Sequence, residues 1–269
     1  ADTYLNLGNL YETISRRKDA EGAYRQALTL RLALLADDPE DDALRLEVAQ
    51  AHTNLAGLHS KAGRHEALND FRESLKIFAS LATKYPEVAD FREGVATAQY
   101  NVGYQSIIAS DWATAEKALG ISIEVREKLV GDQGSVMSYR ERLAETYIAL
   151  GSLYQATGRD VNAGDVFLKA QSVYRKLTEG NRSVPSYRSG LAFVNTNLGR
   201  LYASQDKLDA AEPLYREAIK TLDELSANEP ENLEHRWRLA NTRLDLANLY
   251  SATRRPAEAE AVFQLERAI

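Results

Sequence analysis

The stretch Asn6-Leu7-Gly8-Asn9-Leu10-Tyr11 returns down the chain in altered form, with its small residue at Gly8, Ala56, Gly103, Gly151, Gly199 and Ala247. The steps between those positions are 48, 47, 48, 48 and 48 residues. A fixed period of this size predicts a solenoid, because one unit cannot bury its apolar face alone and must stack on its neighbours. The 269 residues therefore read as one array, and function is expected on an extended surface.

Twelve residues after each small residue, or eleven in the second repeat, stands an alanine: Ala20, Ala67, Ala115, Ala163, Ala211 and Ala259. Four further on comes a large residue, namely Tyr24, Phe71, Leu119, Phe167, Tyr215 and Phe263. Ala27, Ser74, Ser122, Ala170 and Ala218 follow at helical spacing, then Leu34, Leu81, Leu129, Leu177 and Leu225. That is one stripe of an amphipathic helix B, and the phrase around Gly8 belongs to a helix A before it. Polar turns such as Ala62-Gly63-Arg64-His65-Glu66 separate the two, and the one-residue deletion of repeat two falls there, where it is tolerated.

A second block precedes each phrase: Leu44-Arg45, Phe91-Arg92, Tyr139-Arg140, Tyr187-Arg188 and His235-Arg236, each followed by an apolar residue and an alanine. It reads as the first turns of helix A, starting near residues 42, 90, 138, 186 and 234. Asp90 with Glu93, and Ser138 with Glu141, have capping-box spacing. The arginine ladder opposes the helix dipole, so its partners are expected at the end of the preceding helix B, among Asp37, Asp38 and Glu229.

Tyr4, Leu7, Gly8, Tyr11, Ala20, Tyr24 and Ala27, with a proline closing the unit, resemble the tetratricopeptide repeat family over nearly the whole chain. The resemblance implies an all-α fold, an α-solenoid of antiparallel helix pairs wound as a right-handed superhelix. The repeats would run over 1–39, 42–86, 90–134, 138–182, 186–230 and 234–269, the first and last truncated. The ordinary repeat of that family has about 34 residues. The extra length is placed as roughly seven residues at the end of helix B and seven at the start of helix A, near two turns each, giving helices of about 18 residues and roughly 27 Å.

Composition narrows the function classes. The chain carries 33 Lys and Arg against 39 Asp and Glu, a net charge of −6 without a basic stripe, so no nucleic-acid partner is expected. No apolar run approaches the ~20 residues of a membrane span, so no membrane partner is expected either. The absence of cysteine fits a cytoplasmic location. Ala1-Asp2-Thr3 already stand inside a repeat and read as an excised piece. His52, His59, His65 and His235 share no ligand spacing, and no phosphate loop, nucleophile elbow or kinase signature occurs. No metal, no cofactor and no enzymatic activity are expected.

The resemblance implies instead a scaffold that binds a peptide or protein segment on the concave helix-A face. In that family the asparagine before the Leu-Gly pair commonly bonds the backbone of an extended peptide, and here it recurs as Asn6, Asn54, Asn101 and Asn197. An amide suits that role because it donates and accepts; a cap or bridge between helices is the alternative. The expected partner-binding residues are Asn54, Thr97, Tyr100, Asn101, Tyr104, Phe193, Asn197, Arg200 and Asn248. The carboxylate-clamp cations of the family are missing, since Leu5, Thr53, Tyr100, Ile148, Thr196 and Leu244 hold those places. The rival readings are a spacer that self-associates end to end, and an accessory domain of a larger signalling enzyme such as a bacterial serine/threonine kinase.

Overall fold

The computed structural model describes residues 1–134 and 136–266, with side chains as far as Val262, so the large position Phe263 lies outside the described side chains. Among the described residues there are twelve helices and no strands, arranged in consecutive packed pairs. The chain divides into two compact units, 1–134 and 135–269. The first holds α1 (Asp2–Thr13), α2 (Arg17–Asp37), α3 (Asp42–Lys61), α4 (Glu66–Lys84), α5 (Ala89–Ile108) and α6 (Trp112–Asp132). The second holds α7 (Met137–Ala156), α8 (Asp160–Gly180), α9 (Pro185–Ser204), α10 (Leu208–Asn228), α11 (Leu233–Ala252) and α12 (Pro256–Glu266). Odd-numbered helices carry the A phrase and even-numbered ones the B stripe. Helices α2 to α11 have 19 to 21 residues each.

Each A helix ends in the same way. Ser15, Gly63, Ser110, Gly158, Asp206 and Arg254 adopt φ between 57° and 72°. The next amide then reaches back to a helical carbonyl, as in Arg64 N to His59 O at 2.9 Å and Arg159 N to Tyr154 O at 2.8 Å. This closure uses up carbonyls that the helix end leaves without partners and reverses the chain into helix B. The deletion of repeat two is absorbed just after Gly63: α4 starts through tight turns, Ala67 N to Arg64 O and Leu68 N to His65 O, and has 19 residues where the other full B helices have 21.

The small and large positions meet. A methyl group on Gly8 would lie 2.4 Å from the Tyr24 ring, on Gly103 2.7 Å from Leu119, on Gly151 2.5 Å from Phe167, and on Gly199 2.6 Å from Tyr215. Tyr24, Leu119, Phe167 and Tyr215 are buried, each contributing about 1.5–3 kcal/mol of apolar transfer. The rest of the B stripe is buried as expected, except Leu34, which is exposed. The cause is α1, which has 12 residues where other A helices have 20 and lacks the turns that would lie over Leu34.

Two expectations about the helix-A starts are corrected. The capping boxes do not form: Val88 and Val136 are the N-caps, Asp90 and Ser138 lie inside the helices, and Glu93 is taken by Arg126 of α6 at 2.9 Å. Side-chain caps occur at Asp41 and Asn232 instead. Where a ladder arginine pairs across helices, it does so with the following helix B and not the preceding one. Arg92 meets Asp132 at 2.7 Å, and Arg188 meets Glu224. An antiparallel hairpin brings the C-terminal end of B beside the N-terminal end of its own A. Arg45 stays local, paired with Glu40 and Asp42.

Candidate helix-A binding face

Within the first unit, one face of α3 and one face of α5 border a cleft of about 310 Å³, floored by Phe71 of α4. α3 supplies Thr53, Gly57, Ser60 and Lys61, which fall on one side of a helix by their four- and three-residue spacing. α5 supplies Tyr100, Asn101 and Tyr104. Gln105 Nε2 donates to Ser60 Oγ at 2.6 Å and ties the two helices together. Tyr100 and Tyr104, one turn apart, stack with ring centroids 6.4 Å apart and planes 17° from parallel. Tyr104 remains 47% exposed, a large aromatic surface left in solvent beside an amide.

The underside of this platform is charged. The Arg126 guanidinium lies 5.7 Å from the Tyr100 ring centre, donates to Glu93 at 2.9 Å and reaches the Thr97 hydroxyl at 3.1 Å. Thr97 in turn donates to Glu93 at 2.9 Å. Thr97 thus completes a buried ion pair and is not among the residues lining the cleft. Lys61 donates to Glu12 at 2.5 Å. That bond, with one from the Tyr24 hydroxyl, holds the Glu12 carboxyl below its ordinary range against the opposing effect of burial.

The remaining expected residues lie elsewhere. Asn54 sits half-buried on α3 beside Thr53 and is not among the cleft's lining residues. Phe193, Asn197 and Arg200 lie on α9 and Asn248 on α11, in the second unit. Arg238 covers the Phe193 ring at 4.5 Å, and Arg200 pairs with Asp245 at 2.6 Å. Burial pushes the Asp245 carboxyl above its ordinary range, and Arg200 offsets only part of that. Asn197 is buried, and its Nδ2 has no hydrogen-bond partner. Asn248 is exposed. Of nine expected residues, the cleft collects Tyr100, Asn101 and Tyr104.

A larger cavity of about 590 Å³ lies among α10, α11 and α12, but much of its charge is matched internally, with Arg243 on Asp223 and Arg216 on Glu212. His52 and His59 both face Asp70, at 3.0 and 3.1 Å, and form a joint between α3 and α4. Among the described residues no group of three or more acids and histidines could hold a metal ion, and no helix is long and apolar enough to cross a membrane.

The model of the tetratricopeptide repeat matches residues 1–41 and 196–222. In those two stretches the sequence is similar to the tetratricopeptide repeat. Among solved structures, BtubC (BKLC) from P. vanneervenii is similar with a TM-score of 0.65 and 16% identity over 92% of this chain and 88% of that one. The apo form of RapI gives a TM-score of 0.65 and 14% identity over 99% and 96%. A Signal Transduction ATPase with Numerous Domains from Pyrococcus horikoshii, carrying a tetratricopeptide repeat sensor, gives 0.68 and 11% identity over 99% of this chain and 36% of that one. At these identities the likeness is one of fold. No curated protein sequence matches. A fold of this kind accounts for the recurrent small–large pairs.

Proposed function

We propose that this tetratricopeptide-repeat chain is a non-catalytic scaffold that binds an extended peptide or protein segment along its A helices, with the α3–α5 cleft as the principal seat. The observation that carries the reading is the Tyr100–Tyr104 pair, stacked yet left in solvent beside Asn101. Solvent-exposed aromatics next to groups that donate and accept are what an extended backbone with apolar anchors requires. A cytoplasmic location fits the absence of cysteine. The test is selection of peptides from a random displayed library on the intact chain, followed by titration against a Tyr104→Ala/Asn101→Ala double variant. Selected peptides should lose at least about tenfold in affinity, equivalent to ~1.4 kcal/mol.

A second reading, an accessory module of a larger signalling protein, is favoured by the likeness to a chain that carries a tetratricopeptide repeat sensor and is matched over 36% of its length. The sequence of the full gene on either side of these residues tests it.

A further inference from the structure

The α3–α5 cleft keeps hydrogen-bond donors to offer while its hydroxyl acceptors are engaged. The Thr53 hydroxyl donates to the Ala49 carbonyl at 2.9 Å and meets the Ser74 hydroxyl at 2.7 Å. Ser60 Oγ accepts from Gln105 at 2.6 Å, which leaves its own hydrogen to donate. The Asn101 carboxamide and the Tyr104 hydroxyl hold no hydrogen bond among the described residues. They add N–H and O–H donors, against which Asn101 Oδ1 and Tyr104 Oη remain as acceptors.

Charge and exposure narrow the occupant further. Lys61 is the one charged residue among the described residues that line the cleft, and Glu12 already meets it at 2.5 Å. The cleft therefore complements a neutral segment. The Tyr104 ring is half open to solvent, and Ile108, one turn further along α5 on the same side, is 61% exposed and extends the apolar track.

A polyproline II segment has the matching chemistry. Each proline carries a carbonyl and no N–H. That helix makes no internal hydrogen bonds, so its carbonyls face outward, and it docks on aromatic-lined grooves. An ordinary extended strand would bring an N–H with every carbonyl, and each one buried without an acceptor carries a desolvation penalty. We propose that the α3–α5 cleft takes a proline-rich segment in the polyproline II conformation, with prolyl rings on Tyr104 and Ile108 and backbone carbonyls on the Asn101 amide and the Tyr104 hydroxyl. The proposal rests on the reading of the cleft as a peptide seat and names the class of peptide.

Isothermal titration of the intact chain with octaproline tests this, against an octamer of alternating alanine and glutamine that carries its backbone N–H groups. Octaproline should bind at least about tenfold more tightly than the alternating octamer. Tyr104→Ala should weaken octaproline at least about tenfold, and so should Asn101→Asp, which keeps the side-chain shape and exchanges its donors for acceptors. Neither side chain is buried, so helicity and melting temperature should match the parent's in both variants. Octaproline binding no tighter than the alternating octamer, or unchanged in either variant, would overturn the proposal. In that event library-selected peptides that still require Tyr104 and Asn101 would leave the cleft standing as a peptide seat. Selected peptides indifferent to the double variant would remove the seat and this ligand class together.

Discussion

The ring of Tyr174 lies so close to Gly190 that a methyl group on that α-carbon would sit 2.3 Å from two of its carbons. This is the joint between α8 and α9, and Phe78 against Gly94 repeats it between α4 and α5. Tyr174 is 3% exposed and has little room to swing aside. Gly190→Ala should cost about 1–3 kcal/mol by overpacking. Gly120, an exposed glycine inside α6 with nothing near its α-carbon, should respond oppositely. Gly120→Ala removes a helix penalty of roughly 0.5–1 kcal/mol. Urea melts of both variants check the contrast.

Breaking the buried pair beneath the aromatic platform should be expensive. Arg126 is 2% exposed and donates to Glu93 at 2.9 Å. Glu93→Ala removes this carboxylate from the buried guanidinium, at a cost of about 3–5 kcal/mol. Loss of Arg126's anchor should also loosen Tyr100, whose ring it supports at 5.7 Å. Thermal melts measure the first effect, and near-ultraviolet circular dichroism of the tyrosines measures the second.

Glu212 gives the second unit an acid sensitivity. Arg255 first, then Arg216 and the Tyr250 hydroxyl, draw its carboxyl down to about 2 against the effect of burial. A carboxyl lowered on folding adds stability above its unfolded value, near 4.5, and loses it as pH falls toward 2. Solvent at the site screens the contribution to about 1 kcal/mol. Glu212→Gln should therefore lower the melting temperature at pH 7, and the gap to the parent should close as the pH is taken from 5 to 2.5.

Asp245 should behave in the reverse sense. Burial raises its carboxyl, so folding favours the protonated form and the penalty grows as pH rises through the folded value. Its register position is held by asparagine in Asn54, Asn101 and Asn197. Asp245→Asn should keep or increase stability at pH 7, within about 1 kcal/mol, because the Arg200 pair it breaks is partly solvated. A melting temperature lowered by many degrees would show that the pair outweighs desolvation.

The fold was legible because its principal contacts recur in register. Gly8 with Tyr24 and Gly151 with Phe167 stand sixteen residues apart, and the sequence marks both members of each pair. The joints between repeats were not legible, because the B residue at one register position varies in kind: Arg31, Phe78, Tyr174 and Leu222 hold it where B meets the next A helix within a unit, and Arg126 holds it in α6. An arginine there reads as surface, yet Arg31 and Arg126 are each 2% exposed and paired with acids from other helices. The same mixing hid Thr97, whose spacing on α5 points to the face while its hydroxyl serves the Arg126 pair. Tyr100, Asn101 and Tyr104 were readable since an aromatic pair one turn apart has a fixed helical direction. Phe71 and Lys61 joined the cleft through tertiary packing that no local pattern encodes.

The most direct test of the binding face is isothermal titration of a library-selected peptide into the parent chain, Tyr104→Ala/Asn101→Ala and Gly120→Ala. Affinity should fall at least about tenfold in the cleft variant, ~1.4 kcal/mol, and stay unchanged in Gly120→Ala. Equal affinity for all three chains, with the cleft variant fully folded, would contradict it.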